Sequence, residues 1–299
     1  MRKYLIFLTS LVLVLFLASC SNDSDHKQKQ TTADDEMKVG EMMQEDKEHI
    51  WFVTRANDTL DEKTKVDRYI ITKNGNMQIY VAERIPAQTL GKLLEKDKKT
   101  LIKEIKKQDE WFFKFDKSQI LAKTEADIKN AKDLAEKGYD NYSPSKDSHG
   151  GTDYAVIKME RENQSPETSI KKLEQYNKDI ESLSYQPPES RKVDLKSIGS
   201  GKLEISADRN FNYPKIVGTG SDIDNNSKTL VFSNTFNPKL INGISVAGLN
   251  NFDEQQESQE GTAPYLITTV DKRVKKVLID KPTDPAIKEN QEFKHKKGS

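Results

Sequence analysis

One cysteine, Cys20, stands in a chain of 299 residues, directly behind an amino terminus that is first charged and then apolar. A lone thiol closes no intramolecular disulfide, so whatever folds here is held by burial even in an oxidising compartment. Burial has little to work with. Apolar residues make up 34% of the chain and charged residues 32%, which predicts a densely charged surface around an economical core.

Arg2 and Lys3 supply a positive start, and residues 5–17 an apolar run too short to cross a bilayer as a helix. The run ends in Leu17-Ala18-Ser19-Cys20, small residues before the cysteine. This lipobox resembles the signal of bacterial lipoproteins. The resemblance implies that residues 1–19 are a cleaved signal peptide and that the Cys20 thiol carries diacylglycerol. It also implies a diacylglyceryl transferase and a lipoprotein signal peptidase as processing partners. An ordinary secretory signal and an uncleaved anchor helix are the alternatives. Two acyl chains on Cys20 would make the anchor durable where one gives only marginal, reversible binding, and would place the protein on the outer face of the cytoplasmic membrane.

Without residues 1–19 the 48 basic residues fall to 46 against 48 acidic ones, a formal net charge of −2. Bulk charge therefore favours neither nucleic acid nor anionic lipid. Residues 20–48 are polar and charged apart from Met37, Val39, Met42 and Met43, and are expected to be a disordered tether. Such a coil would reach roughly 30 Å, enough to hold a folded part clear of the headgroups.

An α+β domain is expected over 49–188. Ile50-Trp51-Phe52-Val53, Tyr69-Ile70-Ile71 and the alternating Met77, Ile79 and Val81 predict three antiparallel strands. Asn74-Gly75 between the last two is a hairpin signal, because both residues tolerate the positive φ of a type I′ turn. Leu90, Leu93, Leu94, Leu101, Ile102 and Ile105 share one helical face and predict a helix packed on that sheet. Thr124-Glu125-Ala126-Asp127 has the spacing of a capping box and predicts a second helix ending at Gly138. Ser165-Pro166 starts a third, with Ser as N-cap, that Pro187-Pro188 ends. Trp111, Phe112, Phe113 and Phe115 read as core, with a ligand shelf as the functional alternative.

After Pro187-Pro188 the expected unit is β-rich, residues 189–290, followed by a disordered tail over 291–299. Strands are predicted at 202–207, 215–218, 229–233, 244–247, 265–270 and 274–279, and an exposed acidic and amide loop at 252–261. The expected fold class is thus α+β: an N-terminal antiparallel sheet packed by amphipathic helices, then a sandwich-like C-terminal half.

Chemistry-bearing motifs are weak. His26, His49, His149 and His295 are far apart, so no His/Cys zinc site is expected. Asp147-Ser148-His149-Gly150-Gly151 places an imidazole on a glycine-flexed loop, read as a solvated connection. Asp222, Asp224 and Asn226 imitate the start of a calcium loop, but Ser227 and Ser233 replace the required Gly and Glu. Ser143 to Lys146 and Ser169 to Lys172 have the Ser-x-x-Lys spacing of acyl-serine enzymes without its companion motifs. No catalytic residue, cofactor or metal is assigned. The hairpin at Asn74-Gly75, the lysine-rich helix and Asp280-Lys281-Pro282-Thr283 look like lipoproteins of low-GC Gram-positive bacteria, a likeness that carries no activity. The expected function is a lipid-anchored interaction or structural protein with a protein or glycan partner in the cell-wall zone. A solute-binding lipoprotein serving a transporter is the alternative, and a cell-wall enzyme the third.

Overall fold

The computed structural model describes residues 35–57, 59–82, 88–137, 165–198, 201–214, 229–252 and 261–287. Leu17, Ala18, Ser19 and Cys20, the loop around His149, Ser143, the predicted strand at 215–218 and the Asp222 to Asn226 turn lie outside them. The architecture is α+β, dominated by one seven-stranded antiparallel sheet.

The chain enters through β1 (Glu36–Lys38) and the short α1 (Val39–Gln44). Three strands follow: β2 (His49–Ala56), β3 (Val66–Lys73) and β4 (Asn76–Val81). Asn74 and Gly75 join β3 to β4 with φ of 51° and 65°, the positive pair that a two-residue hairpin needs. Next come α2 (Leu90–Leu94), the long α3 (Lys98–Lys137) and α4 (Pro166–Ser182). Strands β5 (Arg191–Lys192), β6 (Leu195–Ser197), β7 (Leu203–Ser206), β8 (Thr229–Phe232), β9 (Asn234–Ile241), β10 (Ile244–Asn250), β11 (Ala263–Thr269) and β12 (Lys276–Leu278) complete the described chain.

The large sheet runs β5-β4-β3-β2-β11-β10-β9, and β6-β7-β8 form a small sheet of their own. Strand β2 is central, and the continuous apolar run at Ile50 to Val53 has its reason there: both faces are covered. Trp51, Val53, Ile70 and Leu266 point to one side, where they pack with Leu203, Ile205 and Phe232 of the small sheet. Ile50, Phe52, Tyr69 and Ile267 point to the other, against Leu90, Leu93 and Ile105 of the helices.

Four expectations are corrected. Residues 36–44, assigned to the tether, belong to the fold: β1 pairs in parallel with β12, and Val39 and Met43 are fully buried. The small apolar cluster there finds a groove supplied by the far end of the chain. The sheet is shared between the two expected units, since β11 pairs with β2 and extends the N-terminal sheet. Composition marks a break at Pro187-Pro188 but is blind to pairing between segments some two hundred residues apart. The single leucine-rich helix is two, because Asp97 caps a new one, its carboxylate accepting from the Thr100 N–H at 3.0 Å. Conversely, Thr124 caps nothing. Its hydroxyl donates to the Ile120 carbonyl at 2.9 Å in the middle of α3, a back-bond that lets the helix continue. With strong helix formers on both sides, propagation avoids the cost of a second nucleus.

The Ser165 cap holds, its hydroxyl oxygen accepting from the Thr168 N–H. The opposite end of α4 is closed by a cation from α3: the Lys117 ammonium donates to the carbonyls of Glu181 and Leu183, both at 2.8 Å. The strand β9, at the sheet edge, lies outside the expected set and contains Pro238 and two asparagines. Edge position is what makes Pro tolerable, since no ladder partner needs its missing N–H.

Candidate functional site

The middle of α3 brings two buried polar groups to the end of β4. Helical spacing places Gln108 and Asp109 on the same face as Leu101, Ile105 and Phe112. Asp109 is 0% exposed and Arg209, from the segment after β7, is 4% exposed. Arg209 donates to the Asp109 carboxylate through Nε and through Nη2, the latter at 2.8 Å. The same carboxylate accepts the Val81 N–H at 2.8 Å and the Tyr185 hydroxyl at 2.9 Å, so its lone pairs are well used.

Burial, then the charge of Asp109, pushes the Tyr185 phenol well above its ordinary range. It therefore stays protonated as a donor. The guanidinium of Arg209 lies 4.2 Å over the Phe211 ring and donates further to the carbonyls of Gln186 and Asn210. Phe112, Phe113 and Tyr213 close around it. The aromatic cluster thus divides: Phe112 and Phe113 are core, as expected, whereas Trp111 is 39% exposed and stacks on Phe115 at 5.2 Å.

This clamp floors a cleft of about 390 Å³, lined among others by Gln186, Pro188, Glu189, Arg191, Asn210 and Asn212. Its roof is the extended strap of residues 183–190 between α4 and β5. Prolines 187 and 188 offer no N–H to β4, and ladder pairing stops where Arg191 faces Met77. Beyond it, the Gln78 side chain reaches across to the Pro188 carbonyl at 3.0 Å. On the opposite wall Asn212, at φ 56°, donates its N–H to the Asn210 side chain at 2.7 Å, a turn geometry that Asn tolerates. Arg191 is steadied by the Ser206 carbonyl at 3.0 Å, and the Ser206 hydroxyl donates to Asp208 at 2.7 Å.

A second cleft, of about 340 Å³, has an apolar floor that includes Ile50, Leu94 and Ile244, with Lys47, Lys96 and Lys98 at its rim. Lys98 is committed to Glu48, ammonium to carboxylate at 3.2 Å. His49 lies in this wall with Nε2 2.8 Å from Glu45. Burial lowers its pKa despite that carboxylate. Of the other motifs, Ser169 and Lys172 sit on the first turns of α4, where the Ser169 N–H closes a helical bond to Ser165.

Sequence reasoning did not point to Asp109, Tyr185, Arg191 or Arg209. Asp109 and Arg209 are 100 positions apart, and a charged residue within a chain this rich in charge carries no local mark. Comparison with models of protein families, with curated proteins and with solved structures returned no match. Fold and site therefore define a class by geometry alone: an α+β protein with a strap-roofed polar cleft. Among the described residues no helix is long and apolar enough to cross a membrane.

Proposed function

We propose that this chain is a lipid-anchored extracytoplasmic binding protein, held through Cys20, whose strap cleft receives a polar partner from the cell-wall zone. The observation that carries the reading is Arg209 at the floor of an open cleft, immobilised by Asp109, Gln186 and Phe211 before any partner arrives. Groups fixed in advance lose little entropy on binding, which is where polar recognition gains its affinity. The lipobox Leu17-Ala18-Ser19-Cys20 supports the anchoring half of the proposal.

Two experiments test the halves separately. The mass of the protein from its native membrane should exceed that of the chain from Cys20 by a diacylglyceryl group, and Cys20→Ala should release it to the medium. An unmodified thiol at position 20 defeats the anchor. Released protein should sediment with purified wall sacculi, and Asn210→Trp, which fills the cleft from an exposed position, should abolish this without changing the circular dichroism. Sedimentation unaffected by that substitution defeats the cleft.

A further inference from the structure

The alternation of β4 singles out one residue in the strap cleft. Across the two-residue turn Asn76 pairs with Lys73, so its N–H and C=O point to β3, and those of Met77, Ile79 and Val81 point away. At both ends an outward N–H or strand face has a partner. Met77 faces Arg191 of β5, and the Val81 N–H is taken by Asp109. Between them, Ile79 turns its N–H and C=O toward the cleft it helps to line, while its side chain is buried in the core. No group among the described residues bonds this pair. A buried backbone donor and acceptor without a protein partner mark a place where something else bonds.

The complement of an N–H and a C=O on one side of a strand is a single extended residue, whose own N–H and C=O also point to one side. A sugar acetamido group does not fit, because its N–H and C=O point in opposite directions. The slot is one residue long. Along an antiparallel ligand the next ladder position is occupied by Arg191 itself, so the ligand chain has room for one residue past the paired one and then must end. There it meets a guanidinium whose hydrogen bonds to Ser206 use Nη2 alone. A planar guanidinium suits a carboxylate. Glu189 and Asp208 on the same walls suit a cationic side chain further back.

We propose that the strap cleft binds the free carboxyl terminus of an extended peptide, its penultimate residue pairing with the Ile79 backbone and its terminal carboxylate with Arg191. The proposal rests on the strap cleft being the binding site and names the ligand class. This is strand addition reduced to one residue and combined with terminus capture.

The test uses the full mature chain carrying Cys20→Ala and labelled with ¹⁵N. It is titrated with a pool of random hexapeptides bearing free carboxyl termini, and with the same pool carboxyl-amidated. The Ile79 amide resonance should move with the free-acid pool, and amidation should weaken binding about tenfold or more, as should Arg191→Gln with the free-acid pool. Equal affinity for both pools overturns the proposal, independently of how Arg191→Gln folds. So does an Ile79 resonance that moves with N-acetylglucosamine oligomers and with neither peptide pool. A chain whose sedimentation with sacculi is abolished by Asn210→Trp while Ile79 stays unmoved by both pools keeps the cleft and loses the peptide. A chain that neither sediments with sacculi nor responds to either pool loses both.

Discussion

Arg209 lies across the Asp109 carboxylate, donating from Nε and Nη2, and this contact joins the middle of α3 to the segment after β7. A charge pair so fully desolvated contributes modestly in net terms, but each member depends on the other. Asp109→Ala should cost about 3–5 kcal/mol in urea unfolding, because Arg209 is left buried and the Val81 N–H loses its acceptor. Asp109→Leu combined with Arg209→Met should cost less than the sum of the two single changes by roughly 2 kcal/mol. Strictly additive costs would show that the pair is not coupled.

Asp280 gives the fold a dependence on pH. Its carboxylate is 1% exposed and accepts the Gly40 N–H at 2.9 Å, while Oδ1 meets no donor among the described residues. Burial raises its pKa from 3.8 to about 6, against the opposing Gly40 bond and with help from Asp284 and Glu41. The folded state therefore holds this proton more tightly than the unfolded chain. Its contribution is fully present below pH 3.8 and is lost as pH rises through about 6. At neutral pH the ionised form costs up to roughly 3 kcal/mol. Asp280→Asn keeps an acceptor for Gly40 and should stabilise the protein at pH 7.5, the gain shrinking toward pH 4. A gain that is equal at both pH values would refute the assignment.

Two glycines separate backbone strain from crowding. Gly243, in the Asn242-Gly243 turn between β9 and β10, has φ 75° with open space where a Cβ would go. Gly243→Ala should cost about 1 kcal/mol, the left-handed penalty alone. Gly248 stands beside the register shift of β10, and a Cβ there would strike the Leu266 carbonyl and approach Ile267 Cα to 2.9 Å. Gly248→Ala should cost about 3 kcal/mol, because the obstacle is the backbone of β11 and not a movable side chain. Thermal unfolding of the two variants should rank them in that order.

Trp51 is wholly buried at the centre of the sheet, and its indole N–H donates to the Thr72 hydroxyl at 2.9 Å. Thr72→Val preserves shape and removes the acceptor, at a cost of about 1–3 kcal/mol for the stranded N–H. Thr72→Val added to Trp51→Phe should cost nearly nothing more. A full additional loss in that background, measured by urea unfolding, would place the role of Thr72 elsewhere.

Much of the sheet and helix content was legible in local pattern. Asn74-Gly75 announced its hairpin because the backbone demand is met by two adjacent residues, and Ser165-Pro166 announced a helix start for the same reason. Asn242-Gly243 carries the same signal for the β9–β10 hairpin, next to a strand that contains Pro238. Thr124 misled because a capping pattern says what a side chain can do, and a helix already under way offered its hydroxyl another acceptor. The site was hidden altogether. Asp109, Tyr185, Arg191 and Arg209 are ordinary members of a charged chain until folding gathers them, and Ile79 matters through the direction of its backbone.

The amino-acid order alone determined the α+β character and the turns whose φ Asn and Gly accept, since these depend on residues within one or two turns of each other. Tertiary structure alone decided that residues 36–44 belong to the core, that β11 completes the sheet begun by β2, and that Asp109 meets Arg209. Those outcomes depend on which distant surfaces exclude water together, and no stretch of sequence holds both partners of such a contact.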